Sequence, residues 1–162
     1  VDIFSQAGFE VHAISGKADQ ADYLKGLGAA HVLGREVLAT SKPLESARFA
    51  GGLDNVGGAM LTSLLAQTKP YGNVASAGLA GSPGLDMTVM PFILRGVGLL
   101  GIASAGTARD IRGRVWEKLA GDWKPRHLHR ICTREVGLDA LPGVFDTMLA
   151  GGSFGRTVVR ID

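Results

Sequence analysis

One cysteine, Cys132, occurs in 162 residues, which excludes an internal disulfide framework and any multi-thiolate zinc site. Net charge is equally thin. Lysine and arginine number 17 against 15 acidic residues, a formal balance of +2 with no basic run, so the sequence carries no footprint for nucleic acid. No apolar stretch approaches the ~20 residues of a membrane-spanning helix, and no signal-peptide pattern opens the chain; a cytoplasmic protein is the expectation. Neither Ser76 nor Ser104 sits in a G-x-S-x-G elbow, which removes serine hydrolase chemistry of that kind. An initiator methionine is missing too. Residues 2–7 read as the last turns of a helix closed by Gly8, so a fragment that starts inside a helix is expected, the other reading being a processed mature chain.

Glycine is what the sequence has in excess. Its 24 glycines lack the period-three repeat of collagen, so they are expected at tight turns and close backbone approaches. With 46% hydrophobic and 20% charged residues, the chain reads as one soluble domain able to bury a core. Residues 9–14 alternate apolar and polar, which predicts a strand ending in the turn Ser15-Gly16. Asp19 is placed to cap a helix over 20–27, ended by Gly28. Strands are predicted over 30–33, 53–56, 72–77, 97–103, 131–136 and 157–161, and helices over 59–67, 111–119 and 141–149. Residues 39–50 read as either a helix or a surface loop. The run 97–103, nearly all apolar or glycine, suits a strand buried on both faces.

Strands alternating with helices at this spacing predict βαβ units, hence an α/β fold with a mainly parallel sheet covered on both faces. Right-handed crossovers favour the Rossmann-like doubly wound arrangement, here lacking its first strand. Ligands of such sheets bind beyond the carboxyl ends of the strands. Ser15-Gly16-Lys17, Gly34-Arg35, Val56-Gly57-Gly58, Gly78-Leu79 and Ser104 stand at those ends. A hydroxyl and two cations at the ends of consecutive strands favour a phosphate, which points to NADP rather than NAD; the other reading is a plain turn with a solvated lysine. Asp19 is read as a helix cap rather than as a ribose ligand.

The fingerprint G-x-G-x-x-G is absent, because Gly51-Gly52, Gly57-Gly58 and Gly78-x-x-Gly81-x-x-Gly84 lack its context. His127-x-His129-x-x-Cys132 is read as a surface strand with the histidines on one face, not as a zinc site. Asp54 is read as a turn-stabilising aspartate before a catalytic acid, Met87 to Met90 with Phe92 as packing, and Trp116 and Trp123 as core and rim residues.

Ser15-Gly16-Lys17, then Tyr23-Leu24-Lys25-x-Leu27-Gly28-Ala29, Asp54-x-Val56-Gly57 and Gly78-Leu79-Ala80-Gly81 together resemble the zinc-independent medium-chain quinone oxidoreductases. The run Val89-Met90-Pro91-Phe92-Ile93-Leu94-Arg95-Gly96-Val97 and the ending Gly155-Arg156-Thr157-Val158-Val159 are similar to the acrylyl-CoA reductase subgroup. The resemblance implies an NADPH-dependent, often dimeric enzyme that reduces an activated carbon–carbon double bond in acrylyl-CoA or a quinone. It implies that Ser15, Gly16, Lys17 and Arg35 hold the 2′-phosphate and that Leu79 contacts the cofactor through its backbone. Ile93 and Ser104 would lie near the nicotinamide, and Arg156 near the cofactor or a domain joint. Lysine stands at 17 where the family usually has arginine, and Gly151 stands where the family offers a polar contact. The family's catalytic domain and phosphate-cradling loop precede the matched region, and the final strand, 155–161, is expected to belong to that catalytic domain. No catalytic residue is assigned in this chain.

Two rival readings are carried. A catalytically inactive fragment would serve only as a dinucleotide-binding or dimerisation module through an edge strand at 97–103. A methyltransferase-type α/β domain would prefer an acid where Ser15 stands.

Overall fold

The computed structural model describes residues 1–39 and 41–161. Its elements run α1 (Asp2–Gln6), β1 (His12–Ile14), α2 (Ala21–Gly26), β2 (His31–Leu33), β3 (Phe49–Asp54), α3 (Gly58–Ala66) and β4 (Thr68–Ser76). There follow α4 (Met90–Arg95), β5 (Gly98–Gly101), α5 (Arg109–Ala120), α6 (Leu128–Ile131), β6 (Cys132–Gly137), α7 (Leu141–Leu149) and β7 (Arg156–Arg160). β1 pairs with β2, β3–β4–β5 form a second sheet in that order, and β6 pairs with β7. The pairs β3–β4, β4–β5 and β6–β7 are all parallel. The fold is α/β and Rossmann-like, as the alternation of strands and helices predicts. The described strands thus form two pairs and one trio. Among the described residues no helix is long and apolar enough to cross a membrane.

By contacts the chain forms two compact units: Val1–Ala13 with Asp19–Val32 and Trp116–Asp162, and Ile14–Ala18 with Leu33–Val115. The second is organised around α3. Leu38, Phe49, Leu61, Leu64, Leu65, Val74 and Val97 form its buried core. Register places Gly52, Val74 and Leu99 side by side across the sheet. Gly52 lets α3 come close, since a Cβ there would sit 2.8 Å from a Leu64 methyl. The next row, Leu53, Ala75 and Leu100, points the other way. Leu53 is 62% exposed and Leu100 49%. The sheet is therefore packed on one face and open on the other, which corrects the expectation of a strand at 97–103 buried on both faces. β5 is the last strand of the trio, and the apolar run 97–103 packs against the core through Val97 and Leu99.

Beneath the core lies a closed polar network. The Gln67 amide donates from Nε2 to the Val37 carbonyl at 2.7 Å and to Ser63 Oγ at 3.1 Å. Thr68 Oγ1 donates to the Leu64 carbonyl at 2.7 Å. Ser63, Gln67 and Thr68 are buried, and these bonds satisfy them where an unpaired polar group would cost ~1–3 kcal/mol.

The first unit carries α1 and α2, whose ends are released by Gly8 (φ 86°) and Gly28 (φ 100°), as predicted. Asp2 is buried, and its Oδ2 accepts the His127 backbone N–H at 2.7 Å. Burial pushes this carboxyl up, but the His127 backbone N–H and ring, with the Arg126 backbone N–H, outweigh burial and hold it below its ordinary 3.8. Arg130 Nη1 donates to the Gly26 carbonyl at 2.8 Å, satisfying an acceptor at the end of α2. Tyr23 meets Phe154 edge to face, centroids 5.3 Å apart.

Several local expectations change. Asp19 does not cap α2: it lies in a 3-10 turn (Ala18–Gln20), accepts the Gln20 side-chain amide at 2.7 Å, and Gln20 is the cap residue. α4 was not predicted, because the six residues Met90–Arg95 are too few for a periodicity to emerge. His127 and His129 fall at the start of α6 and within it, not on one strand face. Trp116 is 65% exposed on α5 rather than in a core. Of residues 39–50, Thr40 lies outside the described residues, and 41–48 form no helix or strand before β3 begins.

Candidate functional site

The carboxyl ends of β1 and β2 are joined by the bond from the Ser15 N–H to the Leu33 carbonyl, 2.9 Å. That bond sets Ser15-Gly16-Lys17 beside Gly34-Arg35. The approach is close: a Cβ on Gly16 would meet Arg35 Nε at 2.9 Å and Cζ at 3.0 Å. Ser15 Oγ accepts the Lys17 N–H at 3.1 Å, which folds the turn and leaves the hydroxyl proton to donate elsewhere. Ser15 and Lys17 are half-buried, while Gly16 and Arg35 are exposed. The geometry thus gathers one hydroxyl, the backbone of a glycine and a guanidinium at one rim.

The loops after β3 and β4 form a second part of the site. Asp54 is buried, and its Oδ2 accepts the Gly57 N–H at 2.9 Å while Oδ1 accepts the Val56 N–H at 3.3 Å. The aspartate holds the turn, as the sequence suggested. Gly57 has φ 73° and ψ −166°, a region reserved for glycine, and a Cβ there would strike the Ser82 carbonyl. The glycine-rich segment after β4 is stitched to this turn by Ala80 N–H to the Asn55 carbonyl (3.3 Å), then Gly81 and Ser82 N–H to the Val56 carbonyl (2.8 and 3.2 Å). The two loops run backbone to backbone, and Leu79 stands 64% exposed above them.

The other candidates occupy separate elements. Ile93 projects from α4 and is 71% exposed. Ser104, after β5, is exposed, and its carbonyl accepts Arg112 Nη2 at 2.6 Å. Arg156 begins β7 in the other unit, where its Nη1 donates to the Gly155 carbonyl at 3.1 Å.

Arg95 has a role that residue type alone did not reveal. Its Nη1 donates to the carbonyls of Ala66 (2.9 Å) and Thr68 (3.2 Å), and its Nη2 to that of Glu45 (2.5 Å). One guanidinium therefore ties the end of α4 to the end of α3, the start of β4 and the preceding loop. The sequence offered no signal for it, because α4 is too short to be read from periodicity and the partners of Arg95 are distant in the chain.

Residues 1–121 match the family described as zinc-binding dehydrogenase. The residues do not fit a zinc at the carboxyl ends of the strands, where the side chains are Ser15, Lys17, Arg35 and the engaged Asp54. Among the described residues, the group of three possible ligands that comes together is Glu10, His12 and His31, which stand at the amino ends of β1 and β2. The chain is 43% identical over 162 residues to acrylyl-CoA reductase AcuI of Ruegeria pomeroyi, covering 99% of this chain and 49% of that protein. It is 42% identical over 163 residues to YhfP of Bacillus subtilis, described as a quinone oxidoreductase, with the same coverage. The structure of Escherichia coli YhdH with bound NADPH superposes with a TM-score of 0.94 at 38% identity, covering 100% of this chain and 50% of that one. Bacillus subtilis YhfP with NAD bound also gives 0.94, at 41% identity and coverages of 99% and 49%. The chain spans about half the length of the curated relatives it matches. With strands, turns and matched residues in agreement, the chain belongs to the zinc-binding dehydrogenase family.

Proposed function

We propose that this chain is the NADP-binding part of an NADPH-dependent oxidoreductase that reduces an activated carbon–carbon double bond, of the acrylyl-CoA or quinone type. The observation that carries the reading is the Gly16–Arg35 approach beside Ser15 and Lys17. A 2′-phosphate carries nearly two negative charges, and a hydroxyl donor with two cations complements it where a carboxylate would repel it. NADPH, when bound, would supply a hydride for the alkene carbon. The chain's own part is to hold the adenosine end through Ser15, Gly16, Lys17 and Arg35, and to present the Gly57 and Leu79 loops to the rest of the cofactor. Ile93, Ser104 and Arg156 keep their roles from the family resemblance alone. The names of the relatives support the reaction class, and their bound cofactors support a nicotinamide dinucleotide.

The direct test is a titration of the chain with NADPH and NADH. Tighter NADPH binding is expected, and equal affinities would overturn the phosphate assignment. No substrate-positioning group is assigned in this chain, so NADPH oxidation with acrylyl-CoA or a quinone is expected to show no turnover. A cytoplasmic setting belongs to the same proposal.

Homodimer formation is part of the proposal. β5 ends its sheet with Leu100 exposed, and an unpaired strand edge is a template for a second copy. Light scattering at twice the chain mass supports this, and a monomer at high concentration excludes it. A stable dimer without NADPH affinity would favour the association module instead.

A further inference from the structure

We propose that Glu10, His12 and His31 form a binding site for a borderline divalent transition-metal ion such as Zn2+, distinct from the cofactor rim. His12 and His31 lie on neighbouring strands, and their rings stack with centroids 4.6 Å apart and planes 26° from parallel. Both turn Nε2 toward one oxygen: Glu10 Oε1 is 2.9 Å from His31 Nε2 and 3.5 Å from His12 Nε2. The donor atoms of the three residues all lie within 4.8 Å of one another. Tetrahedral zinc with ~2.0–2.1 Å bonds needs ligand atoms separated by roughly 3.3–3.5 Å, so modest side-chain rotation closes this set around one ion.

The chemistry is selective. Two imidazoles and one carboxylate suit zinc and its neighbours, whereas magnesium and calcium demand oxygen. The side chains are 30% (His12), 50% (His31) and 68% (Glu10) exposed, so an ion enters freely and water completes its coordination. The Glu10 carboxylate already lies against both rings and would offset the positive charge. The framework also suits the purpose: strand pairing fixes the spacing of the two histidines, and an ion there would clip β1 to β2 at their amino ends. Sequence alone hides the set, because His31 joins Glu10 and His12 only through the pairing of distant strands.

The test is calorimetric titration of the chain with ZnCl2, with Co2+ absorption as a second probe. Saturable binding of one Zn2+ per chain is expected, weakened ~10-fold or more by His31→Gln and by Glu10→Gln, and unchanged by His129→Gln. Absence of saturable binding overturns the proposal. So does an affinity that either His31→Gln or Glu10→Gln leaves unchanged. To guard against misfolded variants, Ni2+ added to the unsubstituted protein should broaden the imidazole NMR signals of His12 and His31 before those of His127 and His129; the reverse order also overturns it. NADPH binding is not required for any of these readings, so this site and the cofactor assignment stand or fall separately.

Discussion

Gly16 lies against the Arg35 guanidinium so closely that a Cβ would sit 2.9 Å from Nε. The neighbour is the far end of a flexible side chain, so a substitution displaces Arg35 instead of breaking the fold. Gly16→Val is therefore expected to weaken NADPH binding ~10-fold or more while the thermal midpoint moves by only a few degrees, about 1 kcal/mol or less. Parallel cofactor titration and thermal unfolding check both halves.

Lys17→Ala combined with Arg35→Ala removes the two cations proposed to hold the 2′-phosphate. NADPH binding should fall by roughly 2–4 kcal/mol, at ~1.5–3 per charged hydrogen bond less compensation. NADH binding should remain nearly unchanged. An equal loss for both cofactors would show that the pair does not read the phosphate.

The Arg95 clamp predicts a stability effect with no cofactor signature. Arg95→Met leaves the carbonyls of Ala66, Thr68 and Glu45 without their charged donor, at an expected cost of about 2–4 kcal/mol in urea denaturation. Arg95→Lys should recover only part of it, since an ammonium cannot reproduce the planar fork. The ratio of NADPH to NADH affinity should stay as in the unsubstituted chain.

Gly57→Ala tests the loop pair. Its backbone lies where only glycine is at ease, and the new Cβ meets the Ser82 carbonyl. A loss of about 1–3 kcal/mol is expected, together with weaker binding of both cofactors, because the loop moves as a whole.

Asp2 gives a pH dependence. Its carboxyl is held below 3.8 in the folded chain, so its contribution is present above the unfolded value and is lost as pH falls through the lower folded value. Asp2→Ala should cost about 1–3 kcal/mol at pH 7, leaving the His127 N–H without its acceptor. Near pH 2 the difference between the two chains should shrink. Denaturation midpoints across that range measure it.

Much of this architecture was readable beforehand. α7 falls on the predicted 141–149, and Gly8 and Gly28 end their helices in the left-handed region. β2, α3, β6 and β7 lie within a residue or two of expectation. These are places where local periodicity and glycine chemistry decide the structure. The failures share a cause as well. Asp19 loses its cap role because a 3-10 turn intervenes before α2, and the apolar strand at 97–103 turns out to pack on one side because only its position in the sheet determines burial. The rim of Ser15, Gly16 and Arg35 was legible because strand ends follow from the alternation. The work of Arg95 was not, since its partners, Glu45, Ala66 and Thr68, are distant in sequence.

The parallel register that aligns Leu53, Ala75 and Leu100 has a kinetic corollary. Strands running the same way cannot be joined by a tight hairpin, so each of the parallel ladders β3–β4, β4–β5 and β6–β7 waits on closure of an intervening segment, and the entropy of that closure is lost before any bond is gained. Helices such as α7 fold from near neighbours and have no such delay. Refolding of this chain should therefore be paced by assembly of its central strands.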